Sequence, residues 1–262
     1  MQRLILNRLN YFKPLVQISR FEQTEGTSYK RPFELNQAQL VGTIVHEVFQ
    51  FKNNNILRFF LKTRNADESH CVHKVTITNR NLLEKLGTNT LGLNQAIYVG
   101  GRLKTVTEQI DGRRIHISEI LANELYFLDK NKLSMEELNL PSSFDQNSIK
   151  LLSRITSNPF VSKNVSFTIG THYDTIKNPG PERGNFEHHY VHIDRNNNLF
   201  QTAKCFERGD RVYLEGSLDY GTYKEKDTDK EHVTSFIRPS VMVKFKKAEK
   251  RETVEKIPEE NA

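Results

Sequence analysis

The feature that most constrains this chain is a strand phrase that occurs twice, about 115 residues apart. Ile97-Tyr98-Val99-Gly100-Gly101-Arg102-Leu103 returns as Arg211-Val212-Tyr213-Leu214-Glu215-Gly216-Ser217-Leu218. Each copy leads into a charged turn, Gln109 to Arg113 and Lys224 to Lys230, and then into a second apolar strand, His116 to Leu128 and His232 to Phe245. The period is too long for a solenoid repeat and fits two tandem copies of one small domain.

At 262 residues, each copy has enough chain to bury its own core. No apolar run approaches the roughly eighteen residues of a membrane span. Cys71 and Cys205 lie far apart, which disfavours a disulfide framework and favours a reducing compartment. Residues 1–31 differ from the rest: they hold six bases against Glu22 and Glu25, no acid before position 22, and an apolar set including Leu4, Ile5, Leu6 and Leu9. That composition reads as a mitochondrial presequence or as a disordered basic arm. Asn7 to Asn10 interrupts the apolar run that a secretory signal needs. The segment carries +4 of the net charge of +6, so the remainder is nearly neutral. Net charge alone therefore does not argue for a nucleic-acid partner, and the argument passes to placement.

In Leu57-Arg58-Phe59-Phe60-Leu61-Lys62-Thr63-Arg64 the side chains alternate. Leu57, Phe59 and Leu61 face a core, while Arg58, Phe60, Lys62 and Arg64 face the other way. The same split is expected in Ile97 to Lys104, with Tyr98, Arg102 and Lys104 outward, and at Arg114 to Ser118, with Ile115 and Ile117 inward. Each residue alone has an ordinary reading: Phe60 as core of a doubly covered sheet, Lys62 or Arg64 as solvated surface. Cations beside rings on three strands together suit unstacked bases, whose faces stack on rings and whose phosphates pair with Lys or Arg. The second copy exposes Arg211, Tyr213, Glu215 and Asp219 on one strand and Tyr190, His192 and Asp194 on another. Carboxylates there repel phosphate, so the second domain is expected to bind more weakly or to serve in subunit pairing.

The coarse order in the first copy is three strands (Leu35–Val45, Ile56–Arg64, Val72–Thr78), a helical piece (Asn81–Leu86) and a hairpin (Ala96–Thr107, Arg114–Leu128). In the second copy, Val165–Tyr173, His189–Ile193, Leu199–Phe206, Arg211–Tyr223 and Glu231–Phe245 take the corresponding parts. Five strands with a helix between the third and fourth is OB-fold order, so the fold class expected is mainly β, two tandem five-stranded Greek-key barrels. The expected domains are 32–130 and 164–245, joined by a linker at 131–163 and followed by a charged tail at 246–262. Within the linker, Ser143 and Gln146 have capping-box spacing, which predicts a short helix over Gln146–Thr156. That helix reads equally as linker or as part of the second core.

At this point the chain resembles the bacterial and mitochondrial single-stranded DNA-binding proteins. Leu35 to Gly42 is similar to the family's first strand; Ile97 to Thr105, Asp111 to Arg114 and Glu119 to Leu128 are similar to its closing hairpin. Arg208 to Gly216 and Leu218 to Tyr223 resemble the mitochondrial branch. The resemblance implies single-stranded DNA as partner, and the two units per chain suggest that a dimer imitates the family's four-unit assembly. The departures are specific. The family's third strand carries Trp-His-Arg, whose Trp stacks on bases, and this chain has no Trp. Val72-His73-Lys74-Val75 fits that slot in the first copy and His188-His189-Tyr190-Val191 in the second. The acidic tip by which bacterial members recruit partners is missing, with Ile257 to Ala262 a faint echo. Tyr223 lies near the family's further stacking aromatic.

No phosphate-cradling Gly-rich loop is present, and His70-Cys71-x-His73 and His188-His189 lack a second Cys/His pair at finger spacing, so no metal, no cofactor and no catalysis are expected. Gly100-Gly101 reads as a close backbone approach or a bulge within a strand. The reading is a non-enzymatic binder of single-stranded DNA in mitochondria that supports genome replication or maintenance and has no membrane partner. Arg58, Lys62, Arg64, Lys74, Arg102, Lys104, Arg113 and Arg114 are expected to meet phosphates; Phe60, Tyr98 and Tyr223 are expected to stack on bases. Two alternatives stay open: a binder of single-stranded RNA, since stacking faces do not report a 2′-hydroxyl, and an adaptor descended from such a binder, its OB units holding protein partners.

Overall fold

The computed structural model describes residues 34–51, 55–65, 69–86, 91–129, 133–135, 137–138, 146–172, 186–225 and 230–245. The basic segment 1–31 and the tail 246–262 lie outside the described residues.

The first unit comprises β1 (Leu35–Ile44), β2 (Phe49–Phe51), β3 (Ile56–Arg64), β4 (His70–Ile77), α1 (Arg80–Leu86), β5 (Ala96–Ile110) and β6 (Arg113–Phe127). In β3, Leu57, Phe59 and Leu61 are buried and the intervening residues half-buried, as the period of two requires. β1 pairs with β3, β3 with β4, β4 in parallel with β6, β6 with β5, and β5 with β1 again, a circuit of five strands. α1 occupies the crossover that the parallel β4–β6 pair needs. Its start is set by Asn79, whose Oδ1 accepts from the backbone N–H groups of Asn81 and Leu82, and its Leu82 and Leu86 close the core. Asp111 and Gly112 turn the β5–β6 hairpin with φ of 48° and 72°, the doubly positive pair that two-residue hairpins favour.

The second unit repeats this order with β7 (Gln146–Ile155), β8 (Phe160–Val161), β9 (Val165–His172), β10 (Phe186–Ile193), α2 (Phe200–Lys204), β11 (Arg211–Lys224) and β12 (Glu231–Phe245). Its circuit runs β7–β9–β10–β12–β11 and back to β7. Two expectations change here. The helix expected over Gln146–Thr156 is the strand β7, so the second unit begins inside the segment read as linker. Ile149, Leu151 and Leu152 satisfy a helical stripe as well as an alternation, but β1 leaves an open edge that β7 fills, and Ile149, Leu151, Ser153 and Ile155 point inward. The strand expected over Leu199–Phe206 contains α2, with Phe200 and Ala203 buried one turn apart. Val165–His172 is accordingly the second principal strand of its unit and not the first.

β1 and β7 pair antiparallel over seven registers, from Leu35 opposite Leu152 to Val41 opposite Gln146. This joins both circuits into one sheet of twelve strands, and one cluster of buried apolar side chains, Ala38 to Met242, runs through both units. Asparagines fasten the two ends alike. Asn36 donates to the Leu103 carbonyl at 2.8 Å and accepts from its N–H at 2.9 Å; Asn147 does the same with Leu218 at 2.9 and 3.0 Å.

The repeated glycine of the strand phrase has one reason in both copies. The register slips between Gly100 and Gly101 against β6 and between Glu215 and Gly216 against β12, the bulge expected from the sequence. At each bulge a Cβ would press into the backbone opposite, the Leu121 carbonyl for Gly101 and the Arg238 carbonyl for Gly216. Gly101→Ala and Gly216→Ala are each expected to lose about 1–3 kcal/mol by overpacking, read as a lower urea midpoint, whereas Gly112→Ala, with open space around it, is strained only by its positive φ.

Candidate nucleic-acid interface

Pairing of β3 with β4 sets their outward residues in columns: Arg58 beside Thr76, Phe60 beside Lys74, Lys62 beside Val72 and Arg64 beside His70. Arg58 reaches the Thr76 hydroxyl at 3.4 Å and lies 5.2 Å from the centre of the Phe51 ring. The edge of His46 meets Phe60, ring centres 5.3 Å apart. Five of the residues expected at the site, Arg58, Phe60, Lys62, Arg64 and Lys74, therefore share one face. Val72, in the slot of the missing Trp, is exposed on it.

The cations of the hairpin are engaged differently. Glu119 accepts from Lys104 at 2.8 Å and pairs with Lys74 at 3.2 Å. Burial pushes the Glu119 carboxyl up, but the two lysines outweigh it and hold it below the usual range. Arg102 does not point to the β3–β4 face: its Nη1 lies 3.1 Å from both carboxylate oxygens of Glu187 on β10. Burial raises the Glu187 pKa in spite of this arginine. Arg113 lies 4.7 Å from the centre of the Tyr223 ring, and the Tyr223 hydroxyl donates to Asp111 at 3.4 Å, so these two residues join the hairpin tips of the two units.

Tyr98 is on another surface. It sits with Val41, Leu128 and Met135, 5.8 Å from Tyr126, on the outer face of the joined sheet, with its hydroxyl pKa raised by burial and by Glu124. Ile117, expected inward, is exposed because the β6 arm leaves its own unit's core and lies across the second unit. With Phe60, Val72, Lys74, Tyr220 and Val233 it lines a groove of about 650 Å³ between the units.

Between the units lies a buried polar network that sequence reading missed. His73 Nε2 is 2.7 Å from Thr63 Oγ1 and its Nδ1 is 3.0 Å from the Tyr220 hydroxyl of the other unit. His189 repeats the arrangement, 2.8 Å from Thr171 and 2.8 Å from Thr105. Ser235 donates to the His116 carbonyl at 2.9 Å, and its Oγ lies 2.7 Å from the Ser118 hydroxyl. The signal was present in the second position of each Val-His-Lys and His-His-Tyr triplet, which alternation places inward.

The outward residues of β10 are all rings: Phe186, His188, Tyr190 and His192. Phe186 packs on His172 at 3.9 Å and is aligned with His188 at 6.5 Å; Tyr190 is stacked on His116 at 5.2 Å and 4°.

Comparison with solved structures accords with this architecture. The wild-type single-stranded DNA binding protein from Thermus aquaticus aligns over 82% of this chain and 95% of its own, with 17% identity and a TM-score of 0.58. A deletion mutant of that protein aligns over 84% and 98%, with 17% identity and a TM-score of 0.55. The fold is the OB architecture of these single-stranded DNA-binding proteins. A yeast mitochondrial single-stranded DNA binding protein, Rim1, aligns with 36% of this chain and 94% of its own at 16% identity and a TM-score of 0.32. No protein-family model and no curated protein sequence matches the chain.

Burial holds the imidazoles of His73 and His189 down to about 3 and that of His116 to about 4. In the unfolded chain a histidine titrates near 6.5, so below that pH the unfolded state takes up protons that the fold refuses. Stability is expected to be full above pH 6.5 and to fall with acidification towards pH 4, by up to about 1.4 kcal/mol per pH unit for each histidine. Urea unfolding across this range checks it; a flat profile contradicts a neutral buried network.

Proposed function

We propose that this chain binds single-stranded DNA without catalysing a reaction, and that it does so in mitochondria in support of genome replication or maintenance. The observation that carries the reading is the β3–β4 face, where Arg58, Lys62 and Arg64 alternate beside Phe60 and continue through Val72 and Lys74 into the groove between the units. A single strand needs that combination of cations and a stacking ring, and the shared fold with a single-stranded DNA binding protein supports it. The composition of residues 1–31 supports the compartment.

Phosphate contacts are assigned to Arg58, Lys62, Arg64, Lys74 and Arg114, with lesser parts for Lys104 and Arg113. Arg102 serves the contact with Glu187 instead. The outer face of the joined sheet, with Tyr98 and Tyr126 at one end and Val241, Val243 and Phe245 exposed at the other, is the surface on which two chains pair. Its exposed apolar residues come from both units, and a twofold contact uses such a patch from each chain.

The adaptor alternative draws on one observation, the neutralisation of Lys74, Lys104 and Arg102 by Glu119 and Glu187. Titration of the protein without residues 1–31 against labelled oligo-dT, RNA of equal length and duplex DNA separates the readings. Salt-sensitive binding to the DNA strand alone supports the proposal, preference for RNA replaces the partner, and no binding at moderate salt favours the adaptor. In the Arg58→Ala/Lys62→Ala double variant the slope of log affinity against log salt is expected to fall by roughly 1.4, about 0.7 for each phosphate of a single strand that is no longer neutralised. Sedimentation of the same protein is expected to show a dimer that Tyr126→Glu dissociates.

A further inference from the structure

We propose that Glu119 is a built-in rival of the bound strand, an affinity-limiting carboxylate that holds two lysines of the first unit's binding face against phosphate. The proposal rests on the single-strand reading above and adds to it the residue that sets how tightly, and with what salt dependence, the strand is held.

Three strands converge on this side chain. Lys104 stands directly opposite Glu119 in the β5–β6 ladder, and Lys74 precedes Val75, which is in parallel register with Ile120. Lys104 Nζ lies 2.8 Å from Oε1 of Glu119, and Lys74 Nζ lies 3.2 Å from Oε2. Oε2 also accepts from the Thr76 hydroxyl at 3.0 Å, and that hydroxyl accepts from Arg58 Nε at 3.4 Å. One carboxylate thereby orders two lysines directly and the arginine of β3 through a hydroxyl. Burial works against its charge, yet Lys104 and Lys74 outweigh burial and keep it ionised.

The lysine side chains are 37% and 34% exposed, so a phosphate can meet both from solvent, while Glu119 keeps only 11%. Two ammonium groups and one carboxylate leave a single net positive charge where the lysines alone would offer two. A phosphate that meets Lys74 or Lys104 is therefore repelled by Glu119 at close range, in a half-buried setting that salt screens less than open surface.

The fold does not need an acid at this place. Val75 beside Ile120 recurs as Val191 beside Ile237, and Leu103 opposite Ile120 recurs as Leu218 opposite Ile237. The places of Lys74, Glu119 and Lys104 are thus held in the second unit by Tyr190, Phe236 and Asp219, with a ring where the first unit has its carboxylate. Glu187 does not share the role of Glu119, because its side chain is 6% exposed and is paired with Arg102.

Binding of oligo-dT by the full chain is measured over a salt series for the parent, Glu119→Gln and Glu119→Phe, the last carrying the residue that the second unit has at this place. Both variants are expected to bind about twofold to thirtyfold more tightly at a given salt, the range for two exposed ion pairs that no longer compete. The slope of log affinity against log salt is expected to steepen by up to about 1.4, about 0.7 for each further phosphate neutralised. Lys104→Ala is expected to weaken binding more in the Glu119→Gln background than in the parent, a coupling that a merely structural role for Glu119 does not produce. Urea unfolding identifies a variant that fails to fold, and the other then decides. Parental or weaker binding with an unchanged slope, or an equal effect of Lys104→Ala in both backgrounds, overturns the rivalry while leaving the binding function intact. Binding by a Glu119 variant where the parent shows none supports it; failure of parent and variants alike overturns it together with the proposed function.

Discussion

The pairing of β1 with β7 is the contact on which the remaining structure depends. Each of these strands opens its own five-strand circuit and would otherwise present an unpaired edge. Setting them antiparallel over seven registers satisfies both edges at once and gives the two units an approximate twofold relation within one chain. From that relation follows the path of the hairpin arms. β5–β6 and β11–β12 are 14 or 15 residues per strand, too long for their own cores, and each crosses onto the other unit. The contact between the hairpin tips, Arg113 on Tyr223, is a consequence of this crossing.

Where the arms cross, the contact is polar and buried, and its chemistry favours one arrangement. Each inward histidine has two partners, one from its own unit and one from the other, so neither ring nitrogen is left without a hydrogen bond. Leaving such a group unsatisfied costs about 1–3 kcal/mol. A shifted arm orphans several groups together, among them Ser118, Thr105 and Ser235, while an apolar contact of the same area would slide more easily. The asparagine clasps on Leu103 and Leu218 act in the same way where the first strand of each unit begins and its hairpin strand continues.

What could be read from the sequence was whatever two local signals made redundant. The hairpins were legible because phrase, turn and alternation agreed in both copies, and β3 because its alternation is unbroken. β7 was not, because Ile149, Leu151, Leu152 and Ile155 satisfy periods of 2 and 3.6 alike, and only the long-range pairing with β1 decides between them. The recurrence of Asn36 as Asn147, each clasping a leucine beyond the bulge, was the available clue to a second first strand. Among the site residues, alternation correctly separated inward from outward on β3 and β4. It did not show which outward surface a residue joins. Arg102 and Tyr98 are both outward on β5, yet one reaches a carboxylate of the other unit and the other joins the outer face of the sheet. Those destinations are properties of the crossing arms, which no local pattern encodes.

The same crossing explains why the two copies can differ while sharing a fold. Each groove takes residues from both units, and the β6 arm serves both: Ile117 lines the groove beside β4 together with Val233 of β12, while His116 stacks on Tyr190 of β10. Arg114 and His116 stand opposite Tyr190 and His188, where Glu231 and Val233 stand opposite Lys74 and Val72. These surfaces can differ without changing the core, because most of these side chains lie on the outer side of a strand or on an arm. The outward side of β3 in the first unit carries the cations Arg58, Lys62 and Arg64, and that of β10 in the second carries the rings Phe186, His188, Tyr190 and His192, so one fold presents two different surfaces in one chain.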